Sequence, residues 1–328
     1  MKSAPPIIRM GHPLAFAAFL EHVGAPVERH LRAQGLPVYC DNPDDFVPLR
    51  AAWSFFDATA QSEDPALGWY VGRFVGDRNL NRILLQKLEN APTLYQALKR
   101  FIRIISAEAS HLELGILERR HDILFCTQYS NMKGEAGYTS SQSYQLLIFV
   151  DLVRHFVGQH WVPDEIGIEH PTVPAIAKEI FPTARILTNQ RFGYIAIPRA
   201  CLHMATRSRE GVDSREASLV LSRRFDYADT VRALLRPHLS EGYPSARLAA
   251  SLMDTSVRTL ARGLSAGGLT YRTLVDELRF TTARELLRDQ SLRIRDVSRA
   301  VGFEAPPHFS RMFRRVAGLS PRQFRRAT

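Results

Sequence analysis

Two stretches in the last third of the chain share a spacing suited to gripping a polyanion. The first is Ala249-Ala-Ser-Leu-Met-Asp-Thr-Ser-Val-Arg-Thr-Leu-Ala-Arg-Gly-Leu264, and the second is Val297-Ser-Arg-Ala-Val-Gly-Phe-Glu-Ala-Pro-Pro-His-Phe-Ser-Arg-Met-Phe-Arg-Arg315. Each has a small residue (Ala250, Ser298), a turn residue four positions on (Asp254, Gly302), and then a helical pattern with arginine on its exposed face. A guanidinium is a planar fork of donors that takes a phosphate or a guanine edge with two parallel hydrogen bonds. A small residue lets two helices approach, and the turn between them needs a residue tolerant of the left-handed region, which glycine supplies and aspartate supplies less easily. The pattern is that of a helix-turn-helix, present twice, with Ser298 lying 48 residues after Ala250. A helix over about 272–288 joins the copies. Two grips on one linking helix could enter successive major grooves, which recur every ~34 Å along DNA.

The charge of the chain is placed to match. Residues 1–205 hold 20 Lys and Arg against 20 Asp and Glu, whereas residues 206–328 hold 23 against 13, so the net +10 lies entirely in the last part. Neutralising phosphates with basic side chains releases their counterions, which drives association with nucleic acid. All 23 of those cations are arginines, a bias that the coding composition of a genome explains equally well.

A length of 328 residues suits about two domains, and 45% hydrophobic with 23% charged residues excludes disordered and collagen-like chains. The longest uncharged stretch around the most apolar segment, Ala136 to Val150, has 15 residues and several Ser and Gln, too short and polar to span a bilayer. The apolar run Leu14 to Leu20 near the start is closed by Glu21 and reads as an amphipathic helix rather than a signal peptide. Cys40, Cys126 and Cys201 are odd in number and far apart, so neither a disulfide framework nor a zinc site is expected. These features suit a cytoplasmic protein with no membrane partner.

Residues 1–205 alternate helical and strand patterns. Leu49 to Gln61 and Thr93 to Ala107 read as helices, the second with Leu94, Ala97, Leu98, Phe101 and Ile105 on one face and Thr93 at its start. Leu112 to Glu118 and Ile123 to Tyr129 read as a hairpin across Arg119-Arg-His-Asp122. A helix over Ser140 to Val157 follows, then strands at 166–169, 184–187 and 194–198 with a helix near 174–180 between the first two. No glycine-rich phosphate loop and no nucleophile elbow occurs, so no catalytic site is expected. The polar stretch 206–228 reads as a linker, and the pattern beyond it is helical almost throughout. The expected fold is an α+β N-terminal domain (1–205), a linker (206–228) and an all-α C-terminal domain (229–328) with two helix-turn-helix units on a linking helix.

His155, His160 and His170 invite a metal hypothesis, but spacings of five and ten fit no helical ligand pair, and no metal or other cofactor is expected. Tyr129, Tyr138, Tyr144, Trp161 and Phe192 could line a small-molecule pocket or could equally be core aromatics.

Residues 229–328 resemble the DNA-binding module of AraC/XylS regulators, above all in Asp296-Val-Ser-Arg-Ala-Val-Gly-Phe through Gly318-Leu-Ser-Pro321 to Arg326. Phe46 to Arg50, Asp64 to Gly68, Ala91 to Leu98 and Phe192 to Pro198 are similar to the N-terminal domain of the branch that includes ornithine-responsive regulators. The resemblance implies a transcription regulator, with activation the expected direction. Its partners would be promoter DNA, a small-molecule effector, a second copy of the chain and RNA polymerase. It implies that Leu260 is buried, and that Arg258, Ala261 and Arg262 on the opposite face read bases or phosphates. In the second unit Phe309 and Phe313 would be core, while Pro307, His308, Ser310, Arg311 and Arg314 face outward or along the groove wall, with Arg315 touching phosphate or solvent.

Four residues depart from the usual pattern. Pro306-Pro307 deletes two amide donors that a helix start would offer a phosphate, so clamping there falls to side chains. Gly263 lies inside the first recognition helix at a cost of ~1 kcal/mol relative to Ala, and Asp254 stands where a turn glycine is commoner. Two other readings fit parts of the pattern. A sequence-indifferent architectural binder would not need two distinct recognition helices. An enzyme domain tethered to DNA, such as an alkyl-transfer repair fusion, would need a cysteine–zinc cluster that three dispersed cysteines do not make.

Overall fold

The computed structural model describes residues 4–38, 42–59, 66–78, 82–88, 90–106, 108–205 and 226–327. Cys40, Asp64, Pro65 and residues 206–225 of the expected linker lie outside the described residues. In chain order the first elements are β1 (Ile7–Arg9), α1 (Gly11–His22), α2 (Val27–Ala33), β2 (Phe46–Pro48), α3 (Leu49–Thr59), α4 (Leu67–Asp77), α5 (Arg82–Gln86) and α6 (Leu94–Ile105). There follow β3 (Leu112–Glu118), β4 (Asp122–Tyr129), α7 (Tyr138–Val157), β5 (Glu165–Gly167), α8 (Ala175–Ile180), β6 (Arg185–Leu187) and β7 (Gly193–Pro198). The chain resumes as α9 (Tyr227–Leu235), α10 (Ala246–Leu252), α11 (Val257–Ala266), α12 (Tyr271–Leu286), α13 (Ile294–Ala300), α14 (Pro306–Ala317) and α15 (Pro321–Ala327). The described residues form two compact units, one within 11–38 and 49–205, the other within 4–10, 42–48 and 226–327.

The first unit is α+β, as expected. Its five-stranded sheet has the order β3-β4-β7-β5-β6, antiparallel except for the parallel β5/β6 pair. The expected hairpin is β3/β4, in register from Leu112 opposite Tyr129 to Glu118 opposite Ile123. Thr93 caps α6 by accepting a bond from the Gln96 amide, and the apolar face of that helix is buried. Phe101 of α6, Phe125 of β4 and Phe149 of α7 meet with ring centroids 4.3–6.0 Å apart, joining helices to sheet. Along most of its length α7 is buried, and a Cβ on Gly68 would stand 2.0 Å from the Ser140 carbonyl oxygen, so α4 lies against it where only glycine fits. Cys126 and Cys201 are free and buried, and burial pushes the Cys126 thiol up to about 12.

The second unit is built on two small cores. Val231, Leu234, Leu235, Leu260, Leu264, Leu274 and Val275 belong to the first; Ala283, Leu287, Val297, Val301, Phe309 and Phe313 belong to the second. The division drawn at residue 205 does not anticipate where the β1/β2 ribbon goes. Ile7 is fully buried in the core formed with α9, and the Asp45 carboxylate receives the Arg236 guanidinium at 3.1 Å. Burial raises the Asp45 carboxyl while Arg236 opposes that shift. Residues 226–228, expected as linker, are instead the Asp226 N-cap and the first turn of α9, because the Asp226 carboxylate accepts the Asp229 amide at 2.6 Å. Among the described residues no helix is long and apolar enough to cross a membrane.

Candidate nucleic-acid interface

Each helix-turn-helix is built from the small residue outward. Ala250 on α10 and Ser298 on α13 are buried at 4% and 0% exposure, which lets the following helix cross closely. The turns that follow have the same hydrogen bonds. The Thr255 amide reaches back to the Ala250 carbonyl and the Asp254 amide to Ser251; the Phe303 amide reaches back to Ser298 and the Gly302 amide to Arg299. That pairing is the left-handed helix stop that closes two otherwise orphaned carbonyls. Asp254 and Gly302 take it with φ of 46° and 75°, as the spacing predicts. Ser256 then caps α11 by accepting the Thr259 amide at 3.1 Å, whereas α14 starts with Pro306 and Pro307 and no side-chain cap.

Leu260 and Leu264 turn α11 inward, and Phe309, Met312 and Phe313 do the same for α14. The opposite faces carry the arginines. Arg258, Ala261 and Arg262 are exposed one turn apart, and so are Pro307, His308, Arg311 and Arg314, with Ser310 half-buried between them. The guanidiniums of Arg258, Arg262, Arg311 and Arg314 form no ion pair with a described residue. Ser310, Arg311, Arg314 and Arg315 line a shallow recess on α14. Arg315 differs from its neighbours, since its exposed guanidinium reaches back to Asp276 on α12 at 3.3 Å.

Gly263 has a packing reason that its neighbours in sequence do not reveal. A Cβ there would stand 2.4 Å from the Tyr227 ring of α9, so the glycine makes the notch that seats the tyrosine. The Tyr227 hydroxyl is buried without a partner among the described residues.

In the α+β unit, Tyr129 and Tyr138 meet around Trp53, whose ring lies 4.8 and 5.8 Å from theirs. Gln145 donates to the Tyr129 hydroxyl at 2.6 Å, and Tyr138 and Gln142 both donate to the buried Glu169 carboxylate, which Lys133 reaches from the surface at 3.0 Å. Burial pushes the Tyr129 hydroxyl up to about 12. Tyr144 packs elsewhere, on Phe16 and His12; Phe192 lies against Tyr194; and Trp161 is half-buried, its carbonyl taken by Arg154. Trp53, Gln142, Gln145 and Glu169 were absent from the sequence-based candidates. The signal for Gln142 and Gln145 is the polar run Ser140-Ser-Gln-Ser-Tyr-Gln145 in a helix otherwise built for a core. His170 is engaged locally with Thr172, and His155 lies against Phe156.

Two matching helix-turn-helix units with outward arginines, on a unit separate from an α+β unit, define a two-part regulator of the helix-turn-helix class. Residues 24–205 match the arabinose-binding domain of AraC transcription regulators, and residues 249–327 match a helix-turn-helix domain. The chain belongs to the AraC family of transcription regulators. It is similar to an uncharacterised HTH-type transcriptional regulator of Mycobacterium tuberculosis, at 34% identity over 33% of this chain and 32% of the relative. It is also similar to the HTH-type transcriptional activator RhaS of an Enterobacter species, at 33% identity over 35% and 38%. The aligned part thus spans about a third of the length of these relatives. The crystal structure of the transcriptional regulator CdpR from Pseudomonas aeruginosa aligns over 92% of this chain and 96% of its own, with 17% identity and a TM-score of 0.36.

Proposed function

We propose that the protein binds promoter DNA by laying α11 and α14 in successive major grooves and so controls transcription in the cytoplasm. The observation that carries this reading is the pair of arginine faces: outward, free of ion pairs with described residues, and mounted on two turns with the same bonds. Arg262 and Arg311 are assigned to base edges, Arg258 and Arg314 to bases or phosphates, and Ala261, Pro307, His308 and Ser310 to the groove wall. Residues 11–38 and 49–205 are assigned to sensing a small molecule and to self-association, with Tyr129 and Tyr138 beside Trp53 as the first contacts to test. Activation through contact with RNA polymerase is the proposed output, and no catalysis is assigned.

The test is selection of duplexes from a random pool by the full-length protein, followed by footprinting. Two protected major-groove patches about one helical turn apart are expected. One continuous patch without sequence preference would overturn the reading.

A further inference from the structure

The linking helix α12 is shared between the two cores: Leu274, Val275 and Leu278 serve the first, Ala283 and Leu287 the second. Between them sits Arg279, a charged residue that is only 5% exposed. Its guanidinium donates to the Gly302 carbonyl at 2.5 Å, in the turn of the second unit. Its central carbon lies 4.2 Å from the Phe303 ring centroid and 4.9 Å from that of Tyr243, which precedes α10 of the first unit. The Nε atom is buried without a partner among the described residues. Around the same point the turn of the second helix-turn-helix meets the segment that precedes α10 backbone to backbone, since a Cβ on Gly302 would stand 2.2 Å from the Leu239 carbonyl oxygen and 2.4 Å from that of Gly242.

A buried cation with one hydrogen bond is a poor way to stabilise a core, and an apolar side chain of similar volume commonly does as well or better. What the guanidinium adds is direction. A methionine would fill the space, but it would not fasten the Gly302 carbonyl while a cation rests over the rings of both Phe303 and Tyr243. We infer that Arg279 is a positioning residue that locks the two recognition helices at one separation and angle, and so sets the spacing between the two half-sites the protein accepts. This rests on the proposed reading of DNA by both helices, but the geometric part is measurable without DNA.

The experiment uses the full chain with Cys40, Cys126 and Cys201 replaced by alanine and nitroxide labels at Ser265→Cys on α11 and Val316→Cys on α14, both exposed positions. Electron–electron dipolar spectroscopy then reads the distance between the helices. Arg279→Met is expected to broaden the distribution about twofold relative to Arg279. Tyr243→Ala removes one ring at a position 47% exposed, leaves Arg279 in place, and is expected to broaden it in the same sense. Distributions that superimpose on the parent in both variants would overturn the inference. On the selected duplex, one added base pair between half-sites turns them by about a tenth of a helical repeat. It should cost the parent about tenfold in affinity and Arg279→Met less than about threefold. An equal penalty in both would also overturn it. A parent indifferent to sequence would contradict the DNA reading itself, and the distance measurement would still decide the role of Arg279.

Discussion

Asp254 and Gly302 hold equivalent places in two turns 48 residues apart, each in the left-handed region and each followed by an amide that closes back onto the buried small residue of the preceding helix. The repeat is therefore one of backbone geometry, and side-chain likeness follows from it. The two positions differ in surroundings, because Gly302 is walled by the Leu239 and Gly242 carbonyls whereas Asp254 is exposed.

That difference predicts opposite effects of substitution. Asp254→Gly relieves a left-handed side chain and should stabilise the second unit by up to about 1 kcal/mol. Gly302→Ala adds both that strain and a clash with backbone, and should cost at least ~2 kcal/mol. Urea unfolding followed by circular dichroism measures both; equal effects would contradict the packing of the turn.

Gly263→Ala would ordinarily gain ~1 kcal/mol of helix propensity. Here the added methyl meets the Tyr227 ring, and a net loss of roughly 1–2 kcal/mol is expected. Made in a Tyr227→Ala background the same change should cost less or become favourable. Tyr227→Phe alone should be neutral or stabilise by about 1 kcal/mol, because the hydroxyl is buried without a partner among the described residues.

Much of this architecture is legible in the residues. The β3/β4 hairpin shows as two apolar runs flanking a charged turn, and α6 shows as a clean stripe behind Thr93. The ribbon does not show, because β1 and β2 have three residues each, too few for any period, and Ile7 finds its core more than 200 positions away on α9. Gly263 reads as a loose spot in a helix until the ring of Tyr227 is seen against it. Arg315 reads like Arg314 beside it, and the two are told apart by Asp276, which reaches one and not the other through the fold.

The arginine assignments predict a graded series. Arg262→Ala and Arg311→Ala should each cost ~1–3 kcal/mol on the selected duplex and relax preference at one base pair. Arg315→Ala should leave base preference unchanged, since its partner is Asp276. Binding to duplexes mutated one position at a time separates these outcomes; uniform losses on every sequence would make Arg262 and Arg311 phosphate contacts instead.

The α+β unit should weaken in acid through Glu165. Burial raises its carboxyl, but hydrogen bonds from Arg119, Arg185 and Tyr194 more than offset this and hold it below its usual value of 4.5. The folded state thus binds its proton more weakly than the unfolded chain. The stabilisation is full above 4.5 and is lost as pH falls through the lower folded value. Melting curves between about pH 6 and pH 3 should show a smaller acid loss in Glu165→Gln than in the parent; equal slopes would show that the cluster is not the cause.

The most direct test of the central claim is fluorescence anisotropy of the full-length protein on the selected duplex and on a scrambled one across a salt series. With roughly 6–10 phosphates neutralised, the log–log slope should be about −5 to −9, and the selected duplex should be preferred about a thousandfold or more. A shallow slope, or equal affinity for both duplexes, would contradict the reading of α11 and α14 as sequence-reading helices.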